Sequence, residues 1–451
     1  MKLIFLTALL ATASSVVALR MSDTDRAALA KELEQWKSSH AGKSAESLGL
    51  LPSQNTEEAL TEEAKLEDEL TRFANAKEVV ADLNKKHPGA IFDYNNQFAL
   101  LNAHEFQAYV KGSFNKEQAR RVLRAEREET TLTQSQIEAA DKDWTTSKCM
   151  PPVKNQGSCG SCWAFATAGA SAMGHCIVTG KLLDLSEQQL VSCAKSAGQG
   201  CQGGWPNKAL DYISSTGLCS AKDYPYTTSD SACKSSCSKT KLSIGKTVDI
   251  RGESAIQKAL DTQPISVTVE AGNDVWQHYK SGVVQSCPGA QSDHAVIAVG
   301  YGTKDGQQYF KIRNSWGANW GEAGYMYLKR GGGGKGMCNV ADGGSYPTLS
   351  GKPANNPTDS PSDEPSDYPS DEPSDSPTDE PSDSPTDEPS DSPTDEPSDA
   401  PTEYPSDDGS MTDMPTEYPT DAPTTRPHTK HPRTKHPKKP HTKKPCPGAS
   451  N

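Results

Sequence analysis

A cysteine becomes a nucleophile when its surroundings favour thiolate over thiol, and one stretch of this chain provides such surroundings. It reads Gln156-Gly157-Ser158-Cys159-Gly160-Ser161-Cys162-Trp163-Ala164-Phe165-Ala166. After Cys162 an Ala-rich apolar run has the pattern of a buried helix, which puts the cysteine at a helix head. There the positive end of the dipole and backbone N–H groups without helical acceptors both stabilise a thiolate. Six residues earlier, Gln156 brings a side-chain amide suited to holding an oxyanion.

A thiolate of this kind needs an imidazole brought close by folding, and a third group to hold the ring. Between Cys162 and the low-complexity tail stand His175, His278 and His294. His175 is only 13 residues on, in the same helical segment, and cannot cross to the far side of a cleft. His278 lies in the polar stretch Trp276-Gln277-His278-Tyr279 and is expected to be a solvated surface residue. His294 opens an apolar strand, Asp293-His294-Ala295-Val296, some 130 residues beyond Cys162. Asn314 follows in Asn314-Ser315-Trp316-Gly317-Ala318-Asn319-Trp320-Gly321. Its side-chain oxygen can accept from one ring nitrogen of His294, and Trp316 can shield that bond from water.

Cys159-Gly160-Ser161-Cys162-Trp163, with His294 and Asn314 downstream at these distances, resembles the active-site pattern of papain-like cysteine proteases. The resemblance implies a nucleophile at Cys162, a general base and acid at His294 and an orienting residue at Asn314. It implies an oxyanion donor at Gln156 acting with the N–H of Cys162. Gly203 and Gly204 match the ledge that pairs with substrate main chain. Trp205, Pro206, Thr268, Ala295 and Gly343 match the wall of the pocket for the second residue before the scissile bond, flanked by Asp293 and Trp316. That pocket should take an apolar side chain, with Asp342 at its border leaving acceptance of Arg open. The disulfides implied are Cys159–Cys201, Cys193–Cys233 and Cys287–Cys338. Cys149, Cys176, Cys219 and Cys237 allow three pairings, of which Cys219–Cys237 with Cys149–Cys176 is favoured. Only seven residues separate Cys193 from Cys201, too few for a lid over one end of the cleft, which favours an endopeptidase. Acyl transfer from a thiolate needs no cofactor, and no metal-ligand spacing is present.

The elements that must carry these residues follow from pattern. Trp163 to Ser215 is helical in character, whereas Ile265–Val269, Ala295–Val299, Gln308–Ile312 and Tyr325–Lys329 are β-branched or aromatic runs. Helices first and strands later imply an α+β fold. The resemblance refines this to two subdomains, a helical left half and an antiparallel, barrel-like right half, meeting at residues 141–350. Before them, residues 19–140 hold no cysteine, and Leu60, Leu66, Leu70, Phe73, Val80 and Leu83 recur at helical spacing. The stretch Tyr94 to Val110 allows a short strand and a second helix. Arg72-Phe73, Asn96-Gln97-Phe98-Ala99 and Glu105-Phe106 echo papain-family pro-regions, which implies an inhibitory segment bound to its own enzyme.

The ends of the chain are of other material. Met1-Lys2, an apolar run and Val16-Val17-Ala18 read as a signal peptide over 1–18. With twelve cysteines, this predicts a secreted protein or one delivered to a lysosome or vacuole. No apolar stretch approaches the ~20 residues of a membrane span. From 351 to 425 runs an acidic Pro/Ser/Thr-rich repeat tail, with a period of eight from Pro361 to about Asp408, expected to be disordered. A basic His/Lys/Pro-rich terminus, 426–451, carries Cys446. All of the net charge of −13 arises beyond residue 350, so the remainder offers no basic face for nucleic acid. A monomer acting on proteins or peptides is expected, with the tail a candidate for contact with anionic polysaccharide. The alternative is a wall- or matrix-binding protein that uses a protease scaffold.

Overall fold

The structure, a computed structural model, describes residues 22–52, 61–111 and 132–351. The expected signal peptide, Leu60 and the tail after residue 351 lie outside the described residues.

The chain opens with α1 (Asp23–Ser38), α2 (His40–Ser47) and α3 (Glu62–Lys86). Thr61 caps α3 by accepting the N–H of Ala64, while Glu62 and Glu63 in the first turn and Lys85 and Lys86 in the last suit its dipole. Its apolar stripe buries Leu70, Phe73, Ala76, Val80 and Leu83, and Phe73 meets Trp36 of α1 at 6.2 Å between ring centroids. Next come β1 (Ala90–Phe92), α4 (Ala103–Lys111), α5 (Gln134–Ile137) and β2 (Lys142–Asp143). The strand thus precedes Tyr94 rather than following it. Asn84 brackets Phe92 through bonds of 2.8 and 2.9 Å. Beyond it, Asp93 and Asn96 accept backbone N–H groups two residues on, turning the chain before a strand can extend.

The helical half follows: α6 (Cys162–Thr179), α7 (Glu187–Cys193) and α8 (Pro206–Thr216). Every residue of α6 from Cys162 to Cys176 is buried, as befits a helix apolar on all sides. The sheet half comprises β3 (Ile244–Ile250), α9 (Glu253–Leu260), β4 (Ile265–Val269), α10 (Asp274–His278), β5 (Tyr279–Val284), β6 (His294–Lys304), β7 (Gln307–Arg313), β8 (Tyr325–Lys329) and β9 (Gly344–Leu349). The strands run in the order β1-β5-β8-β7-β6-β4-β9-β3, with β2 also on β6. All these pairs are antiparallel except β5 with β8. The fold is α+β, and its first segment adds an edge strand, β1, to the sheet of the second half.

One core joins α1, α3 and α4 to the sheet half, and a second lies within the helical half around Trp163, Leu190, Ala209 and Ile213. Among the described residues five disulfides pair Cys149 with Cys176, Cys159 with Cys201, Cys193 with Cys233, Cys219 with Cys237, and Cys287 with Cys338. His278 is not the surface residue its polar neighbours suggest; it is 2 % exposed. The segment Asp93–Asn96 lies over it: the Asp93 N–H donates to its carbonyl at 2.9 Å, and Asn96 Nδ2 stands 3.4 Å from its Nδ1.

Candidate active site

The site forms where the head of α6 meets the start of β6. Cys162 lies outside all five disulfides, is fully buried, and its Sγ accepts the N–H of Ala295 at 3.3 Å. Its neighbour on β6, His294, is also fully buried. Nε2 of His294 and Oδ1 of Asn314 are 2.8 Å apart, which makes Nε2 the protonated nitrogen of the neutral ring, since an amide oxygen can only accept. Nδ1 is left with no hydrogen-bond partner. Trp316 stacks on the imidazole with centroids 4.8 Å apart, and Trp276 meets its edge at 6.1 Å. Burial pushes His294 down to about 4, and the bond to Asn314 works the other way. In this closed form the ring is neutral.

Gln156, 1 % exposed, is held on every side. Its N–H donates to Ser315 O at 2.8 Å, its Oε1 accepts from Ser315 Oγ at 2.6 Å, and its Nε2 donates to Cys159 O at 3.1 Å. The stretch before the cysteine is therefore bonded directly to the segment that carries Asn314. Lys154, two residues earlier, pairs with buried Glu187 at 2.8 Å and steadies the same stretch from below.

The residues expected to meet substrate fall on two sides. On the helical side Gly203 has φ +101°, and a Cβ at Gly204 would lie 2.5 Å from the Trp163 ring, so both positions require glycine. Trp205 and Pro206 follow at the start of α8, both buried. On the sheet side Thr268 pairs with Ala295 across β4 and β6, and its N–H donates to Gly343 O at 3.0 Å. Asp293 is turned inward, its carboxylate accepting the N–H groups of Ala271 at 2.7 Å and Gly272 at 3.2 Å. Asp342 pairs with Lys335 at 3.4 Å.

The first segment of the chain covers this region. Phe98 and Phe106 set their edges against Trp316 at 5.3 and 5.7 Å, and Gln97 Nε2 donates to Trp316 O at 3.2 Å. Gln277 Nε2 donates in return to Phe98 O at 3.0 Å and Leu101 O at 2.8 Å.

The geometry agrees with what comparison finds. The model of the papain family of cysteine proteases matches residues 139–348. Digestive cysteine proteinase 2 of Homarus americanus is 37% identical over 287 residues, covering 61% of this chain and 87% of that protein. The chain belongs to the papain family of cysteine proteases. Chymopapain of Carica papaya is 47% identical over 209 residues, 46% of this chain and 59% of its own. Among solved structures, the proform of the ragweed pollen allergen Amb a 11 superposes with a TM-score of 0.60 at 27% identity, covering 73% of this chain and 96% of that one. Helices α1 to α4 thus belong to the pro-region of a papain-family hydrolase. Three residues that contribute to the site's geometry were not singled out by the sequence. Ser315 and Ser161 stand next to Asn314 and Cys162 inside the quoted motifs and could have been found there, but Tyr226, whose Oη donates to Gln156 O at 2.7 Å and lies 2.6 Å from Ser161 Oγ, carries no signal in spacing or composition.

Proposed function

We propose that this papain-family protease is an endopeptidase, made as a zymogen and secreted or delivered to an acidic lumen, that cleaves peptide bonds through a thioester acyl-enzyme. Cys162 attacks the scissile carbonyl, and the N–H of Cys162 with the Gln156 amide receives the oxyanion. His294 protonates the leaving amine and then activates water to free the acyl group. Asn314 keeps the imidazole turned toward the sulfur. The observation that carries this reading is the placement of Cys162 Sγ 3.3 Å from the Ala295 N–H, beside His294, whose other nitrogen is taken up by Asn314.

Gly203 and Gly204 act as the main-chain ledge, while Trp205, Pro206, Thr268, Ala295 and Gly343 form the pocket for an apolar side chain. The Lys335 partner of Asp342 supports that preference, because it pairs with a carboxylate at the pocket's border. Mature enzyme begins near Asp141, and the pro-region is its inhibitor until acid releases it. The five disulfides suit an oxidising compartment.

Acid activation of the full chain, followed by titration with an epoxysuccinyl inhibitor and peptide mapping, tests the mechanism. One equivalent on Cys162 with matching loss of peptidase activity is expected. Label on any other residue overturns the assignment.

A further inference from the structure

The two donors assigned to the oxyanion lie on separate pieces of chain, Gln156 in a turn and the Cys162 N–H at the head of α6. Something must fix their spacing. Ser161, the residue before the nucleophile, occupies the N-cap position of α6 yet makes no capping bond with its side chain. Its Oγ is instead 2.6 Å from Tyr226 Oη, and Tyr226 donates to the Gln156 carbonyl at 2.7 Å. A phenol has one hydrogen, and that hydrogen is committed to Gln156. Tyr226 therefore accepts from Ser161, and the polarity of the chain is fixed as Ser161 to Tyr226 to Gln156.

The tyrosine is held as firmly as the groups it joins. Its ring stands edge-on to Phe165 in the first turn of α6, with centroids 4.8 Å apart and planes at 90°. The following residue, Thr227, donates from both N–H and Oγ1 to Oε1 of buried Gln188, at 2.9 and 3.0 Å. Thr228 has φ +54°, a costly conformation for a β-branched residue. A Cβ added to Gly157 would lie 3.0 Å from the Thr228 methyl, so this strained residue closes over the turn behind Gln156. Strain kept beside a site implies that the surrounding structure over-determines the position. Burial raises the Tyr226 hydroxyl well above its ordinary range, so it stays a donor at any pH the enzyme meets.

We propose that Tyr226 is a positioning residue of the oxyanion hole, setting the distance between Gln156 and the head of α6 through its bonds to the Gln156 carbonyl and Ser161. The inference rests on the assignment of Cys162 and Gln156 above. Tyr226 acts through Gln156 and Ser161, so its effect falls on the transition states that carry an oxyanion, in acylation and deacylation alike.

That separation gives the test. Alkylation of Cys162 by iodoacetamide displaces iodide at a saturated carbon and develops no oxyanion, whereas amide hydrolysis does. In the full chain, acid-processed, Tyr226→Phe should lower kcat for a peptide amide about tenfold with KM within twofold. Its rate of iodoacetamide alkylation and the pH profile of that rate should match the parent. Ser161→Ala breaks the same chain at its other end and should reproduce the split, and the double variant should be no worse than Tyr226→Phe alone. Unchanged hydrolysis in Tyr226→Phe overturns the proposal, as does an equal fall in hydrolysis and alkylation, or additive losses in the double variant. Should Tyr226→Phe fail to fold, Ser161→Ala alone decides by the same two rates. Hydrolysis surviving in Cys162→Ser would instead remove the underlying assignment.

Discussion

At the scale of single residues, the site is a set of bonds that leave one atom of each group available. Asn314 occupies Nε2 of His294 and so leaves Nδ1 for the sulfur. Losing a hydrogen bond to a group that becomes charged during turnover costs about 1.5–3 kcal/mol, so Asn314→Ala should lower kcat roughly ten- to a hundredfold. Steady-state kinetics on a peptide amide checks this, and a change confined to KM would speak against an orienting role. Trp316 both stacks on the imidazole and receives Phe98 and Phe106. Trp316→Ala should destabilise the zymogen by about 3–5 kcal/mol and also cut activity. Denaturant unfolding read beside kcat would separate the two losses.

At the scale of elements, the pro-region docks by strand addition and by aromatic edges. Strand β1 pairs with β5, and the turn after it seals His278. Burial lowers His278 from its ordinary 6.5 to about 4. The sign follows from proton counting: once released and hydrated, the ring binds a proton below about 6.5 that the docked ring refuses. Docking is therefore strongest above that pH and weakens as pH falls toward 4. His278→Leu removes this dependence, and half-conversion of the zymogen should move about half a pH unit or more to acid. Gel-resolved autoprocessing across pH 4–7 measures it, and an unshifted midpoint would contradict the account.

The same elements show what could be read beforehand. Helices α3 and α6 and strands β4, β6, β7 and β8 were legible because their apolar periodicity is long or their β-branched runs dense. Strands β3, β5 and β9 lack such runs, although none is shorter than β4 or β8, and α9 and α10 are single-turn or two-turn helices whose stability comes from packing. His278 misled because local polarity says nothing about a segment from 180 residues earlier folding over it. Cys162, His294, Asn314 and Gln156 were singled out through motif context, whereas Tyr226 depends on tertiary placement that no local pattern records.

At the scale of the whole molecule, residues 1–350 are formally neutral and are followed by an acidic repeat and a basic terminus. If the terminus anchors the enzyme, full-length protein should be retained on an anionic polysaccharide column at low salt, and a chain ended at residue 351 should not. Equal retention would remove the anchor. The central claim concerns the meeting of the two halves, which must let sulfur from α6 and imidazole from β6 share one proton. The most direct measurement is the pH dependence of Cys162 alkylation in the acid-processed enzyme, followed by peptide mapping. A rate already near its plateau by about pH 6 is predicted, because the neighbouring imidazolium and the helix head hold the thiolate. A rate that rises only through about 8.5, the range of an ordinary thiol, would contradict it.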